Sequence, residues 1–166
     1  MTALLRVLIV DDSEDDAQLV LLKLRGGGYA PKWERVDTPE AMSSALDRKQ
    51  WDVILADYRM PRFSALAALK LVQDRELDIP FIIVSGTVGE DAAVAAMKAG
   101  AHDYVMKNNL AKLAVTVDRE IREAKVRFGR RHALEALQNS ESKFRTVFES
   151  VGDAIFIFDT KGTIYE

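Results

Sequence analysis

Apolar runs typical of buried strands alternate with helical patterns along most of the chain, and this alternation restricts the fold more than any other feature. The apolar runs lie at residues 4–10, 32–36, 52–57, 81–84 and 103–106, and the segments between them have the spacing of amphipathic helices. Strands that are separated by helices lie parallel in one sheet, with helices on both of its faces. The sequence therefore predicts an α/β fold, a doubly wound five-stranded parallel sheet.

Polar side chains of different chemistry lie at the carboxyl ends of four of these predicted strands. These residues are Asp11, Asp12, Asp57, Ser85 and Lys107. In open α/β sheets, ligands bind outside the carboxyl ends of the strands, so these residues are expected to converge. Three carboxylates in a partly buried cleft repel each other, and a divalent cation relieves that repulsion. Oxygen ligands with few protein carboxylates suit Mg²⁺. With a lysine and a hydroxyl nearby, the set has the parts of a phosphoryl-transfer site whose nucleophile is a carboxylate.

Other conspicuous residues have a simpler structural explanation. Ser13 is a plausible N-cap for a helix over residues 14–24, and Asp15 and Asp16 are favourable in its first turn. The three glycines at 26–28 follow a helix rather than a strand. They are therefore interpreted as a helix C-cap and turn, not as a phosphate-binding loop.

Composition and charge exclude several classes of protein. The chain has no cysteine, so neither a disulfide framework nor a thiolate metal site is possible. A net charge of −3 argues against a general nucleic-acid binder. No apolar run is long enough to span a membrane, and the acidic pair at residues 11–12 comes too early for a signal peptide. We expect a cytoplasmic protein that binds neither nucleic acid nor membrane.

Residues 5–127 resemble the receiver domain of two-component response regulators. The matching motifs are Val10-Asp11-Asp12, Asp57-Tyr58-Arg59-Met60-Pro61, Val84-Ser85-Gly86 and Ala99-Gly100-Ala101-His102-Asp103-Tyr104-Val105-Met106-Lys107. Their order and spacing are those of the family. The resemblance implies a flavodoxin-like sheet in the order 2-1-3-4-5, flanked by five helices.

The same resemblance implies roles for the acidic residues. Asp57 would accept a phosphoryl group from a histidine kinase or a histidine phosphotransfer protein. Asp11, Asp12 and Asp57 would bind Mg²⁺, with the backbone carbonyl of Arg59 as a further ligand. The domain would then be a phosphoacceptor switch, not an enzyme with a separate substrate.

The resemblance also implies how the switch works. Ser85, Gly86 and Lys107 would contact the phosphoryl oxygens, and Tyr104 would turn inward as Ser85 moves. Their movement would alter the surface formed by the fourth helix, the fifth strand and the fifth helix, called here the 4-5-5 face.

The tail predicts a long helix with a break. From residue 112, apolar residues at 117, 121, 124 and 128 recur at coiled-coil spacing, Gly129 interrupts them, and Leu134 and Leu137 resume in a shifted register. Two interpretations stay open: a helix that pairs or transmits rotation between domains, or an amphipathic linker packed on its own domain. A homodimer through this helix or through the 4-5-5 face is a further expectation.

The last residues suggest a second domain. Residues 140–145 predict the start of another helical segment, residues 152–159 a turn and strand, and residues 163–165 a second strand after the tight turn Lys161-Gly162. This pattern resembles the opening of a PAS sensory domain. We predict a receiver domain at 1–127, a helical, coiled-coil-like linker at 128–143 and the incomplete start of a PAS domain at 144–166. The chain is then expected to be part of a longer protein with a PAS-containing output of unspecified activity.

Three other functions are weighed against this one. A haloacid-dehalogenase-like phosphatase would carry a second acid two residues after its nucleophile, and Arg59 occupies that position. A receiver-like scaffold used only for dimerisation would not need the intact acidic set. A dinucleotide-binding domain would carry a glycine fingerprint after the first strand, where this chain has Asp11-Asp12-Ser13.

Overall fold

The computed structural model describes residues 2–86, 90–150, 157–158 and 164–165. The described chain divides into two compact units, Met1–Val126 and Arg127–Glu166. In the first unit, strands and helices alternate in the order β1 (Ala3–Val10), α1 (Glu14–Gly26), β2 (Tyr29–Val36), α2 (Pro39–Arg48), β3 (Val53–Asp57), α3 (Ala65–Asp74), β4 (Phe81–Ser85), α4 (Glu90–Lys98) and β5 (Asp103–Met106). A short 3₁₀ helix, Lys107–Lys112, then leads into the long helix α5 (Leu113–Ser150).

The five strands form one parallel sheet in the order β2-β1-β3-β4-β5. The predicted fold class and strand order are therefore confirmed. Strands β3 and β4 lie inside the sheet and every one of their residues is buried, which explains why they are apolar without alternation. Because all five strands run the same way, their carboxyl ends lie along one edge of the sheet.

The two faces of the sheet carry separate hydrophobic clusters. One cluster packs Leu8, Ile54 and Ile83 against α2 and α3, and the other packs Ile9 and Leu55 against α1 and α5, with further residues in each. Alternate residues of a strand point to opposite faces, so one buried strand supplies both clusters. The result is a rigid sheet whose strand ends hold their side chains in fixed positions.

Strand β2 begins earlier than predicted, at Tyr29 instead of residue 32. Its first residues pair with β1 from Ala3 onward, and the pairing includes Pro31. Proline lacks the N–H that a central strand needs, but β2 is at the edge of the sheet, where that donor is not required. The sequence pattern misses this part because none of residues 29–31 is buried and they do not form an apolar run.

The predicted break at Gly129 is wrong, because α5 continues from Leu113 to Ser150. Residues 140–145 are helical as predicted, but they continue α5 and do not start a new segment. A single glycine costs a helix about 1 kcal/mol, and the residues on both sides are mostly good helix formers. The side chains of α5 from residue 128 to residue 146 are exposed. Among the described residues, no helix has the length and hydropathy that a membrane span requires.

The second unit contains, besides the end of α5, two short antiparallel strands, β6 (Ile157–Phe158) and β7 (Ile164–Tyr165). The predicted turn at Lys161-Gly162 lies outside the described residues, as do residues 151–156 and residue 166.

The glycines after α1 form the predicted C-cap. Gly27 donates its N–H to the carbonyls of Lys23 and Leu24 at 3.0 and 3.1 Å, and Gly28 follows with a φ of +90°. A Cβ added at Gly27 would overlap with the Cβ of Ala114 at the start of α5. The glycine therefore allows α1 and α5 to approach each other.

Gly27→Ala is expected to lower the free energy of unfolding by about 1–3 kcal/mol, because the new methyl group forces the two helices apart. Gly26→Ala is the matched control, since a Cβ there meets no atom within 4 Å, and it should be neutral or stabilise by up to about 1 kcal/mol. Urea denaturation of both variants measures the difference. Equal effects at the two positions would contradict the close approach.

Candidate functional site

The strand ends bring the predicted polar residues together. Asp11 directly follows β1, Asp57 and Ser85 are the last residues of β3 and β4, and Lys107 directly follows β5. Carboxylate oxygens of Asp11, Asp12 and Asp57 lie within 4.8 Å of one another. Asp11 and Asp57 are buried and Asp12 is exposed, so the cluster opens to solvent on one side.

Local turns fix the two buried carboxylates. Asp11 Oδ1 accepts a hydrogen bond from the backbone N–H of Ser13 at 2.8 Å, and Asp57 Oδ2 accepts one from the N–H of Arg59 at 3.1 Å. Ser13 is also the predicted N-cap, because its Oγ accepts from the N–H of Asp16 at 3.2 Å. Short Asx-type turns of this kind hold a carboxylate in one orientation. Arg59 therefore lies beside Asp57, while the role of its carbonyl as a metal ligand stays a prediction.

Lys107 supplies the positive charge of the cluster. Its Nζ lies 2.7 Å from Asp16 Oδ2, 2.9 Å from Asp57 Oδ1 and 3.4 Å from Asp11 Oδ2. Burial opposes the charged form of this lysine, but the hydrogen bonds to Asp16 and Asp57 outweigh burial and raise the pKa of its ammonium group. Lys107 is therefore charged at neutral pH.

The carboxylates remain in excess over this one ammonium group. Burial raises the pKa of Asp11, and the negative charges of Asp57 and Asp16 raise it further against the opposing effects of Ser13 and Lys107. A site that is buried, acidic and lined by oxygen donors fits a hard divalent cation such as Mg²⁺. Asp11, Asp12 and Asp57 are the residues that would hold it, and a bound cation would supply positive charge to phosphate oxygens.

Asp11→Asn is expected to raise the free energy of unfolding of the metal-free protein by about 1 kcal/mol at pH 7. A raised pKa means that folded Asp11 binds a proton more tightly than unfolded Asp11 does. The stability of the parent therefore falls as the pH rises from about 4, the ordinary carboxyl pKa, through the raised value. The gain in the variant should vanish below about pH 4. Denaturation with a chelator at several pH values measures it, and a gain that does not change with pH would contradict this origin.

Of the remaining predicted residues, Ser85 and Gly86 lie beside Lys107, and Tyr104 packs in the core. Ser85 is buried and is paired in register with Met106, the residue before Lys107. A Cβ at Gly86 would lie 3.6 Å from Cδ of Lys107, so Gly86 lies against the lysine side chain. Tyr104 packs against the hydrophobic cluster on the α2 and α3 side. Its hydroxyl is buried and, within the described part of the chain, has no hydrogen-bond partner.

Two residues of the cluster were missed by sequence reasoning. The sequence predicts Asp16 only as an acid in the first turn of α1, yet it makes the shortest contact to Lys107. Arg35 donates from Nη1 to the backbone carbonyl of Asp11 at 2.9 Å. No local pattern indicates the contact of Asp16 with Lys107, because an acid in a first helical turn already has a local explanation. No pattern indicates Arg35 either, whose position depends on the pairing of β2 with β1.

Comparison with known proteins agrees with this geometry. Residues 7–118 match the family model described as the response regulator receiver domain. The regulatory protein AtoC of Escherichia coli is 30% identical over 141 residues, covering 84% of this chain and 30% of AtoC. The DNA-binding transcriptional regulator NtrC of Klebsiella pneumoniae is 34% identical over 114 residues, covering 68% of this chain and 24% of NtrC. The chain thus spans less than a third of the length of either regulator.

Solved structures agree on the fold. The signal receiver domain of a putative LuxO repressor protein from Vibrio parahaemolyticus superposes with a TM-score of 0.65 at 25% identity, covering 74% of this chain and 94% of that domain. The signal receiver domain of a signal transduction histidine kinase from Syntrophus aciditrophicus gives a TM-score of 0.61 at 25% identity, covering 72% of this chain and 91% of that domain. Receiver domains with this fold therefore occur in proteins of different overall type.

Proposed function

Because this chain belongs to the response regulator receiver family, we propose that Asp57 accepts a phosphoryl group from a histidine kinase or a histidine phosphotransfer protein. One observation carries the proposal: Lys107 Nζ lies 2.9 Å from Asp57 Oδ1, inside a cluster that also holds Asp11 and Asp12. A carboxylate nucleophile, a fixed ammonium group and oxygen ligands for Mg²⁺ are the groups that phosphoryl transfer needs.

The transfer step follows from these groups. An oxygen of Asp57 attacks the phosphorus of the phosphohistidine, the P–N bond breaks as the O–P bond forms, and the freed imidazole takes a proton from solvent. The N–H of Arg59 holds the other oxygen of Asp57, which keeps the nucleophilic oxygen oriented. Lys107, the hydroxyl of Ser85 and the backbone of Gly86 then bind the phosphoryl oxygens. Mg²⁺ held by Asp11, Asp12, Asp57 and the carbonyl of Arg59 would neutralise charge on the phosphoryl group.

Phosphorylation acts as a switch through charge and packing. It adds negative charge and acceptor oxygens at Asp57, which attract Ser85 and Lys107. In this scheme the position of the Tyr104 ring on β5 is coupled to the movement of Ser85. In the structure the ring packs against the hydrophobic cluster, and its hydroxyl is buried without a hydrogen-bond partner among the described residues. A buried hydroxyl without a partner costs free energy.

The switch is proposed to control an output beyond the receiver. In this proposal residues 1–127 are the receiver, residues 128–143 a coiled-coil-like linker and residues 144–166 the start of a PAS domain. The unbroken helix α5 and the antiparallel pair β6–β7 support the proposal. A homodimer through α5 or the 4-5-5 face, a cytoplasmic location and a regulatory rather than enzymatic role belong to the same proposal.

Intact mass spectrometry after incubation with Mg²⁺ and a small phosphoryl donor tests the acceptor function. The expected result is a gain of one phosphoryl group per chain. A chain that gains no mass from the small donor or from a phosphorylated histidine phosphotransfer domain, although it binds Mg²⁺, would refute the proposal and favour a scaffold.

A further inference from the structure

Asp16 is the acidic residue of this cluster that neither the metal site nor the acceptor uses. It lies in the first turn of α1, and its carboxylate makes the shortest of the three contacts to Lys107, at 2.7 Å. We propose that Asp16 is a positioning residue that holds the ammonium group of Lys107, so that Asp11 and Asp57 can release it and bind a divalent cation. The inference rests on the proposed function and extends it to a residue outside the family motifs that match.

Lys107 and a bound cation would use the same two carboxylates. Lys107 contacts Asp57 and Asp11 at 2.9 and 3.4 Å, and both carboxylates belong to the candidate metal cluster. When these oxygens turn to a cation, Lys107 loses two of its three partners while a second positive charge arrives beside it. The Lys107 side chain is only 16% exposed, so its ammonium group cannot recover the loss from water without moving. Asp16 is the partner that remains.

The position of Asp16 suits this task. Its side chain is 38% exposed, against 5% for Asp11 and 10% for Asp57, so burial opposes a charge there less than at the other two carboxylates. Its backbone is fixed, because its N–H bonds to the capping Ser13. A carboxylate on a rigid helical turn can therefore keep Lys107 next to Asp57 throughout. This arrangement also leaves Lys107 in reach of a phosphoryl group on Asp57.

Calorimetric titration of the full chain with Mg²⁺ tests the inference without any phosphoryl donor. Asp16→Asn is expected to raise the Kd for Mg²⁺ about fivefold, the size of an ordinary coupling between neighbouring charged groups. Asp15→Asn is the matched control, because it removes the same charge from an exposed position on the same helical turn. We expect it to change the Kd by less than about twofold.

A double-mutant cycle with Lys107→Met separates positioning from a direct charge effect. If Asp16 acts through Lys107, Asp16→Asn changes the Kd by less than about twofold once Lys107 is replaced. A fivefold loss in both backgrounds would overturn the inference, because Asp16 would then attract the cation directly. An unchanged Kd in the single Asp16 variant would overturn it too, while the metal site itself would stand. A parent chain that binds no Mg²⁺ would instead refute the metal site of the proposed function.

Discussion

Asp57→Asn is expected to abolish the gain of one phosphoryl group that the parent chain shows with Mg²⁺ and a small donor. The amide is neutral and has no lone pair of comparable nucleophilicity, so the O–P bond cannot form. The exchange preserves the size of the side chain. In the parent, Asp57 Oδ2 accepts a hydrogen bond from the N–H of Arg59 at 3.1 Å, and the amide oxygen of asparagine can accept the same bond. The loss would therefore report chemistry and not a rearranged loop.

The control for this experiment is Asp47→Asn, which removes an exposed carboxylate near the end of α2. This variant should gain one phosphoryl group as the parent does. If Asp57→Asn still gained the mass, the acceptor would be another residue, and peptide mapping would test Asp11 and Asp12 first. The mass measurement thus tests the identity of the acceptor as well as the reaction.

Asp57→Asn also separates metal binding from phosphorylation. Asp57 is one of three carboxylates in the cluster, and its replacement leaves Asp11 and Asp12 as oxygen donors. It also frees Lys107 from its 2.9 Å contact. In the proposed function one side chain is both acceptor and metal ligand, so a bound cation would lie close to the charge that the transfer creates, where electrostatic stabilisation is strongest.

The sequence predicted the parts of this site whose position follows from the sheet alone. Asp11, Asp57, Ser85 and Lys107 each end or follow an apolar run, and parallel strands bring such ends together whatever the loops do. The order of the strands does not follow from these runs and came from the resemblance to receiver domains. The structure confirms that order.

The residues that were missed depend on distant contacts. Asp16 already had an adequate local explanation as an acid in a first helical turn, so nothing in the pattern indicated its ion pair with Lys107, far away in the sequence. The error at Gly129 had the opposite origin. One glycine predicts a break, but the helix-forming residues on both sides outweigh its cost, and α5 continues through it.

Lys107→Met is expected to slow phosphoryl uptake from a small donor about 100-fold, the usual cost of removing one fixed group that stabilises charge in the transition state. The ammonium group is held 2.9 Å from Asp57 Oδ1 before any donor arrives, so it needs no reorganisation when charge develops. Methionine has a similar length and fills the same space without the charge. The rate is measured as the gain in mass over time.

The matched control is Lys112→Met, in the same 3₁₀ helix but exposed, which should leave the rate within about twofold of the parent.

A slow rate in the Lys107 variant has a second interpretation, because this lysine also neutralises the acidic cluster. Mg²⁺ affinity decides between the two. Loss of a competing positive charge should strengthen Mg²⁺ binding, so a variant that binds Mg²⁺ at least as tightly yet reacts slowly has lost phosphoryl stabilisation. A variant that reacts at the parent rate would show that Lys107 serves only to neutralise the cluster.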